Sequence, residues 1–265
     1  MSELKERVAA AALRGENPTN TLRFAVDGCS QETLAAYPVD NPAVKTSYTL
    51  YEYQREAAVL IDAAYNGDAA PANVVVASPT GSGKTFLIRW AAARAVQTGQ
   101  KLVVAVPLVA LAKQHYEELR IDLAGVQTPC YFDYYDVGGY GYYCEPAATS
   151  SESSPVGIIT GGRCKKFEDA PVLVCTYEVV LLMLNNCLDF MDNTACLIID
   201  EIHMLKDPDR GDGMPKQILI HPRIPSSCML CCLSGTVPNL ELAERVGRCN
   251  QKPTHVLGLK ECPIS

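Results

Sequence analysis

Ser78-Pro79-Thr80-Gly81-Ser82-Gly83-Lys84-Thr85 lies between an apolar run, Val74-Val75-Val76, and a stretch with helical periodicity. This passage limits the fold more than any other. A strand, a glycine-bearing turn and a helix in that order let successive backbone N–H groups converge on phosphate oxygens. The helix N-terminus adds partial positive charge there. Pro79, Thr80, Gly81, Ser82 and Gly83 form the expected cradle. Lys84 is expected to reach the β and γ phosphates, and Thr85 to ligate Mg²⁺. Ser78 stands where such loops usually begin with glycine.

The rest of the chain fits a sheet built around that loop. Apolar strand-like runs cover 74–77, 102–106, 157–160, 172–175, 197–199, 230–233 and 255–259. Helical patterns at 85–97, 110–119, 178–185 and 240–246 follow several of them. Continuous apolar strands alternating with helices imply an α/β fold. Its mostly parallel sheet would be covered by helices on both faces, with right-handed connections. A helix is predicted from Leu50 onward, with Tyr53, Ala57, Leu60, Ile61 and Ala64 on one face. An alanine-rich helix is predicted at 2–13. Residues 17–47 show no sustained period, so 1–47 reads as an N-terminal extension and 48–265 as the domain. Residues 127–156 carry six tyrosines, three glycines and a serine-rich run. They read as an insert, with the tyrosines either stacking single-stranded bases or, the favoured reading, packing a hairpin on the domain.

A second site signal is Leu197-Ile198-Ile199-Asp200-Glu201-Ile202-His203, a buried strand ending in two carboxylates. Asp200 would hold the metal through water, and Glu201 would orient and deprotonate an attacking water. His203 reads either as a packed histidine or as part of the site.

Composition excludes some classes. A hydrophobic fraction of 48% with 20% charged residues fits a globular chain and not a disordered one. No stretch approaches the ~20 apolar residues that cross a bilayer, and the start Met1-Ser2-Glu3-Leu4-Lys5 has no signal core. The net charge of −7 argues against a protein that coats nucleic acid by bulk charge. It leaves room for a local groove. Of the twelve cysteines, Cys175, Cys196, Cys231 and Cys232 lie in strand-like runs as small hydrophobes. Cys228-Met229-Leu230-Cys231 lacks a second pair, so no zinc site is expected. Reduced thiols imply an intracellular protein, nuclear or cytoplasmic.

These motifs together resemble superfamily 2 DExH helicases. Thr49-Leu50-Tyr51-Glu52-Tyr53-Gln54 sits about thirty residues before the phosphate loop, where those helicases place an adenine-reading glutamine, here Gln54. The segment from Val106-Pro107-Leu108-Val109-Ala110 to Gln114 resembles their motif Ia, Thr176-Tyr177-Glu178-Val179 motif Ib, and Ser234-Gly235-Thr236-Val237-Pro238-Asn239 motif III. Within the superfamily the chain is most similar to the Ski-type and nuclear-exosome RNA helicases. Asp200-Glu201-Ile202-His203-Met204-Leu205 resembles their Asp-Glu-Val-His-Tyr-Met, Asp209-Arg210-Gly211 their following Arg-Gly turn, and Gly157-Ile158-Ile159-Thr160-Gly161-Gly162 their Val-Gly-Leu-Met-Thr-Gly-Asp.

The resemblance implies the first RecA-like domain of an ATP-dependent RNA helicase, with ATP and Mg²⁺ as ligands. A catalytic set of Lys84, Asp200, Glu201 and His203 would be coupled through Ser234 and Thr236 to single-stranded RNA. The RNA would be gripped by its backbone at Pro107, Leu108, Ala110, Gly161, Gly162, Thr176 and Glu178. It also implies a second RecA-like domain, which 1–265 does not include, an exosome-associated complex as partner, and weak activity for the first domain alone. Departures are Val109 where a basic residue is usual, Gly235 where alanine is usual, and Gly162 where an acid is usual. These departures and the acidic charge motivate an alternative, a nucleotide-regulated scaffold. A transporter ATPase would need a Leu-Ser-Gly-Gly-Gln signature that the chain lacks, and a small-molecule kinase would not explain the segments resembling motifs Ia and III.

Overall fold

A computed structural model describes residues 32–34, 48–67, 71–123, 155–161, 163–165, 170–187, 189–203, 214–235, 246 and 252–258. The helix predicted at 2–13, nearly all of the tyrosine-rich insert, Gly162, Thr236 and most of 240–246 lie outside them.

The sheet has eight strands in the order β10-β3-β9-β8-β4-β7-β5-β6. They are β3 (Asn73–Ala77), β4 (Lys101–Val106), β5 (Val156–Thr160), β6 (Arg163–Lys165), β7 (Val172–Thr176), β8 (Thr194–Ile199), β9 (Met229–Ser234) and β10 (Thr254–Gly258). All neighbours pair in parallel except β6, which returns antiparallel beside β5. The alternation of apolar strands and helices therefore led to the observed layering.

Side-chain direction alternates along each strand, and the core divides accordingly. Val74, Val76, Leu102, Val104, Cys196, Ile198 and Cys231 face helices α1 (Glu52–Tyr65), α2 (Thr85–Thr98) and α3 (Val109–Asp122). Val75, Val103, Cys175, Leu197, Ile199 and Cys232 face α4 (Tyr177–Asn186) and α5 (Met214–Leu219). The four cysteines read as hydrophobes are fully buried. Burial pushes their neighbour Cys228 up to about 12, so it remains a thiol. The five positions predicted for the buried face of α1 are all buried.

Three short elements escaped the sequence reading. Strands β1 (Glu32–Leu34) and β2 (Tyr48–Leu50) form an antiparallel pair, so part of the supposed featureless extension is ordered against residues just before α1. Their three residues each, like those of β6, span barely one period of alternation. The helix predicted from Leu50 begins at Glu52, because β2 uses Leu50 and Tyr51 caps the helix in extended conformation.

His255 on β10 predicts a pH dependence. Burial pushes it below its usual range. In the unfolded chain it takes its proton near pH ~6.5, and in the fold only at lower pH. Between those values the unfolded state binds more protons, so stability falls as pH drops through about 6.5. Urea unfolding is expected to show a lower midpoint at acidic pH, with His255→Gln shrinking the difference. An unchanged difference in the variant would place the effect elsewhere.

Candidate nucleotide site

Apart from Gln54 at the start of α1, the described candidate segments leave the sheet at the C-terminal ends of parallel strands, the edge where open α/β sheets place their ligands. The loop at 78–84 follows β3, Asp200 follows β8, and β9 lies between them. Two strand spacings of about 4.8 Å put the two segments roughly 10 Å apart across the sheet. Ser78 N–H donates to Ser234 O at 3.1 Å, and Asp200 N–H to Ala105 O at 2.9 Å, so both segments continue the ladders of their strands.

The loop closes on itself before entering α2. Ser82 N–H and Oγ both donate to Pro79 O, at 3.2 and 2.7 Å. Lys84 Nζ lies over the loop, donating to Ser78 O at 2.5 Å and Pro79 O at 2.9 Å. Gly81 and Gly83 have φ of +83° and +84°, conformations that an L side chain adopts only with strain. Gly83 has a second constraint: a Cβ there would lie 2.7 Å from Gln54 Nε2. Ser78 Oγ is buried with no hydrogen-bond partner among the described residues, a hydroxyl open to an added acceptor.

The start of α1 braces this loop. Gln54 Nε2 donates to Gly83 O at 2.9 Å, while Gln54 Oε1 accepts from Tyr51 N–H at 2.9 Å. Tyr53 Oη donates to Ser82 O at 2.5 Å. The sequence placed Tyr53 on a core face but gave no sign that its hydroxyl meets the loop.

At the tip of β8, Glu201 has φ of +54°, left-handed for a non-glycine residue. Such a conformation costs about 1–2 kcal/mol and persists only where surroundings hold it. Here Glu201 N–H donates to Asp200 Oδ1 at 2.9 Å. Glu201 Oε2 lies 3.1 Å from His203 Nδ1, and Gly235 N–H donates to that same nitrogen at 3.3 Å. A Cβ on Gly235 would lie 3.4 Å from His203 Cε1, 3.6 Å from Glu201 Oε2 and 3.7 Å from Thr80 Oγ1. The phosphate loop, the acidic tip and the end of β9 thus meet around Gly235. Gly235 needs no left-handed φ. The position therefore does not call on the backbone freedom that distinguishes glycine from the usual alanine. It leaves room beside Glu201 and His203. Ser234 is buried beneath them.

Two partners of Asp200 were not anticipated. His115 Nε2, from α3, sits 3.2 Å from Asp200 Oδ2, both residues buried. The Tyr177 hydroxyl donates to Asp200 O. Burial above all, and then the Asp200 charge, push the Tyr177 phenol well above its usual value, so it stays a donor.

The segments expected to contact nucleic acid lie on the other half of the same edge, after adjacent strands β4, β7 and β5. Leu108 and Val109 are 41% and 45% exposed, and Ala110, Gly161 and Glu178 are exposed too. Thr176 is buried, and Pro107 is half-buried.

Comparison with known proteins decides the lineage. The DEAD/DEAH box helicase family matches residues 51–244. The chain belongs to this family. Among curated relatives, the DExH-box ATP-dependent RNA helicase DExH9 of Arabidopsis thaliana is 27% identical over 217 residues, covering 82% of this chain and 18% of that protein. The antiviral helicase SKI2 of Saccharomyces cerevisiae is 29% identical over 227 residues, covering 85% and 15%. The exosome RNA helicase MTR4 of Mus musculus is 27% identical over 244 residues, covering 88% and 19%. The chain spans less than a fifth of the length of these relatives. In fold, a hypothetical ATP-dependent RNA helicase from Sulfolobus tokodaii superposes with a TM-score of 0.51 at 20% identity, covering 80% of this chain and 53% of that one. For a DEAD/DEAH box domain, both the position of the loop after β3 and the Asp-Glu pair after β8 fall within the matched residues. Among the described residues, no helix is long and apolar enough to cross a membrane.

Proposed function

We propose that this chain is the ATP-binding, first RecA-like domain of a DExH-type RNA helicase that couples ATP hydrolysis to RNA translocation or unwinding. The observation carrying this reading is the meeting of Thr80, Glu201, His203 and Gly235, because it joins a phosphate loop to a proton acceptor and to the end of a third strand. The donor chemistry fits the ligands. The loop offers a helix N-terminus, an ammonium and the unpaired Ser78 hydroxyl to phosphate oxygens. The Thr85 hydroxyl and the Asp200 carboxylate are hard oxygen donors of the kind Mg²⁺ takes, and these two residues would hold it. When bound, Mg²⁺ neutralises charge on the phosphates.

Lys84 leaves the loop carbonyls for the β and γ phosphates, and Gln54 keeps the loop in shape while facing the base. Glu201 accepts the proton of the attacking water. His203 Nδ1 cannot accept from Gly235 N–H and donate to Glu201 at once. Its partner therefore depends on the proton that Glu201 holds, and this links chemistry to the segment Ser234-Gly235-Thr236. Pro107, Leu108, Ala110, Gly161, Gly162, Thr176 and Glu178 would form the strip along which single-stranded RNA is held by its backbone, a contact that carries no sequence information. A second RecA-like domain would close over the nucleotide. The exosome-linked and antiviral relatives support a role in RNA processing or decay, and the buried thiols suit the reducing nucleus or cytoplasm.

In the intact protein, single-stranded RNA is expected to stimulate Mg²⁺-dependent ATP hydrolysis several-fold more than DNA of the same length. Nucleotide binding with no response to RNA, and with protein partners still captured, would replace this reading with the nucleotide-regulated scaffold. One feature favours that second reading: the exposed side chains on and beside the strip are apolar Leu108, Val109 and Ala110 and anionic Glu178, and none of them attracts phosphate.

A further inference from the structure

Helix α3 turns Ala112, His115 and Leu119 toward the sheet. Among these, His115 is the one polar side chain, and it needs a partner where it is buried. That partner is Asp200. An ionised carboxylate only accepts hydrogen bonds, so the ring nitrogen 3.2 Å from Oδ2 is the one that carries the proton. The other oxygen, Oδ1, accepts Glu201 N–H at 2.9 Å. The backbone of Asp200 is engaged as well, its N–H with Ala105 O and its carbonyl with Tyr177. A carboxylate rotates broadly about its last torsion when unrestrained. A donor on each oxygen selects one rotation and leaves the remaining lone pairs in fixed directions.

We propose that His115 is a positioning residue that orients the Asp200 carboxylate for the divalent cation of the nucleotide complex. The inference rests on the assignment of Asp200 to the cation under Proposed function and adds a residue from α3 to that site. His115 touches neither nucleotide nor metal. It acts through Asp200, as hydrogen-bond partners of metal-ligating carboxylates do, and losing such a partner typically costs about 10–100-fold in metal affinity.

The test uses a fluorescent ATP analogue bound to the purified protein, titrated with Mg²⁺ and compared with binding in EDTA. His115→Leu keeps the volume and removes the donor. It is expected to raise the Mg²⁺ concentration at half-effect about 10–100-fold, while binding in EDTA and the thermal midpoint change little. His115→Gln, which can still donate to Oδ2, is expected to return the Mg²⁺ midpoint to within a few-fold of the parent. If the leucine variant does not fold, His115→Asn replaces it, since its amide is too short to reach Oδ2. A folded variant lacking the donor but titrating like the parent overturns the proposal. So does equal loss of binding with and without Mg²⁺, which marks a merely structural histidine. If Asp200→Asn also titrates like the parent, the assignment of Asp200 itself fails, and the role of His115 fails with it.

Discussion

Glu201→Gln is expected to lower RNA-stimulated ATP turnover by about 10²–10⁴-fold, the range contributed by a positioned general base, while nucleotide affinity shifts no more than a few-fold. The two side chains have the same shape, so the space around Gly235 and the loop residue Thr80 stays filled as before. What changes is proton chemistry: an amide cannot take the proton from water. Its oxygen could still accept a hydrogen bond from His203 Nδ1, which lies 3.1 Å from Glu201 Oε2 in the parent, but it would not take up a proton. The backbone at 201 is left-handed in either case, so the strain is common to both proteins and cancels. Steady-state kcat and a separate nucleotide titration check the split. A variant turning over within about ten-fold of the parent would mean that another group deprotonates the water.

The elements that were legible in the sequence share a physical cause. Strands β3, β4, β7, β8 and β9 are buried on both faces, and continuous apolar runs are the mark of that environment. The loop at 78–84 was legible because only glycine supplies its positive φ values cheaply. Strands β1, β2 and β6 were not, since three residues carry too little pattern. Strand order was also hidden. Nothing in Leu230 or Cys232 says that β9 inserts between β3 and β8, yet that insertion brings Gly235 to the acidic tip.

The candidate site stands out in the sequence where one residue type is asked to do one job, as with the roles proposed for Lys84, Asp200 and Glu201. It was illegible where a residue does two. Tyr53 packs the core with its ring and holds Ser82 O with its hydroxyl, and only the first role shows in a helical pattern. His115 lies 85 residues from Asp200, and no local spacing connects them. A polar residue within the apolar stripe of α3 was the available signal, because such a residue must find a partner when buried.

Lys84→Ala is expected to reduce turnover by about 10²–10³-fold, the loss seen when one preorganised charge-stabilising donor is removed, and to weaken nucleotide binding as well. Lys84 Nζ rests on Ser78 O and Pro79 O, the carbonyls at the mouth of β3, so the ammonium is held above the loop at the entrance to α2. The helix N-terminus alone supplies roughly half an elementary charge. It cannot replace a mobile full charge that follows the phosphoryl group as charge builds on it. The fold itself should tolerate the change. Lys84 is half-buried, and its carbonyl partners near the surface can turn to water, so the loss of stability is expected to stay within about 1 kcal/mol. Lys84→Arg is not expected to rescue activity, because a planar guanidinium does not match a point charge on a flexible stem. Turnover, nucleotide binding and the unfolding midpoint of both variants check the argument together. Full turnover in the alanine variant would remove the phosphate role from this loop, whereas lost turnover together with a collapsed midpoint would make Lys84 a structural clasp of the loop instead.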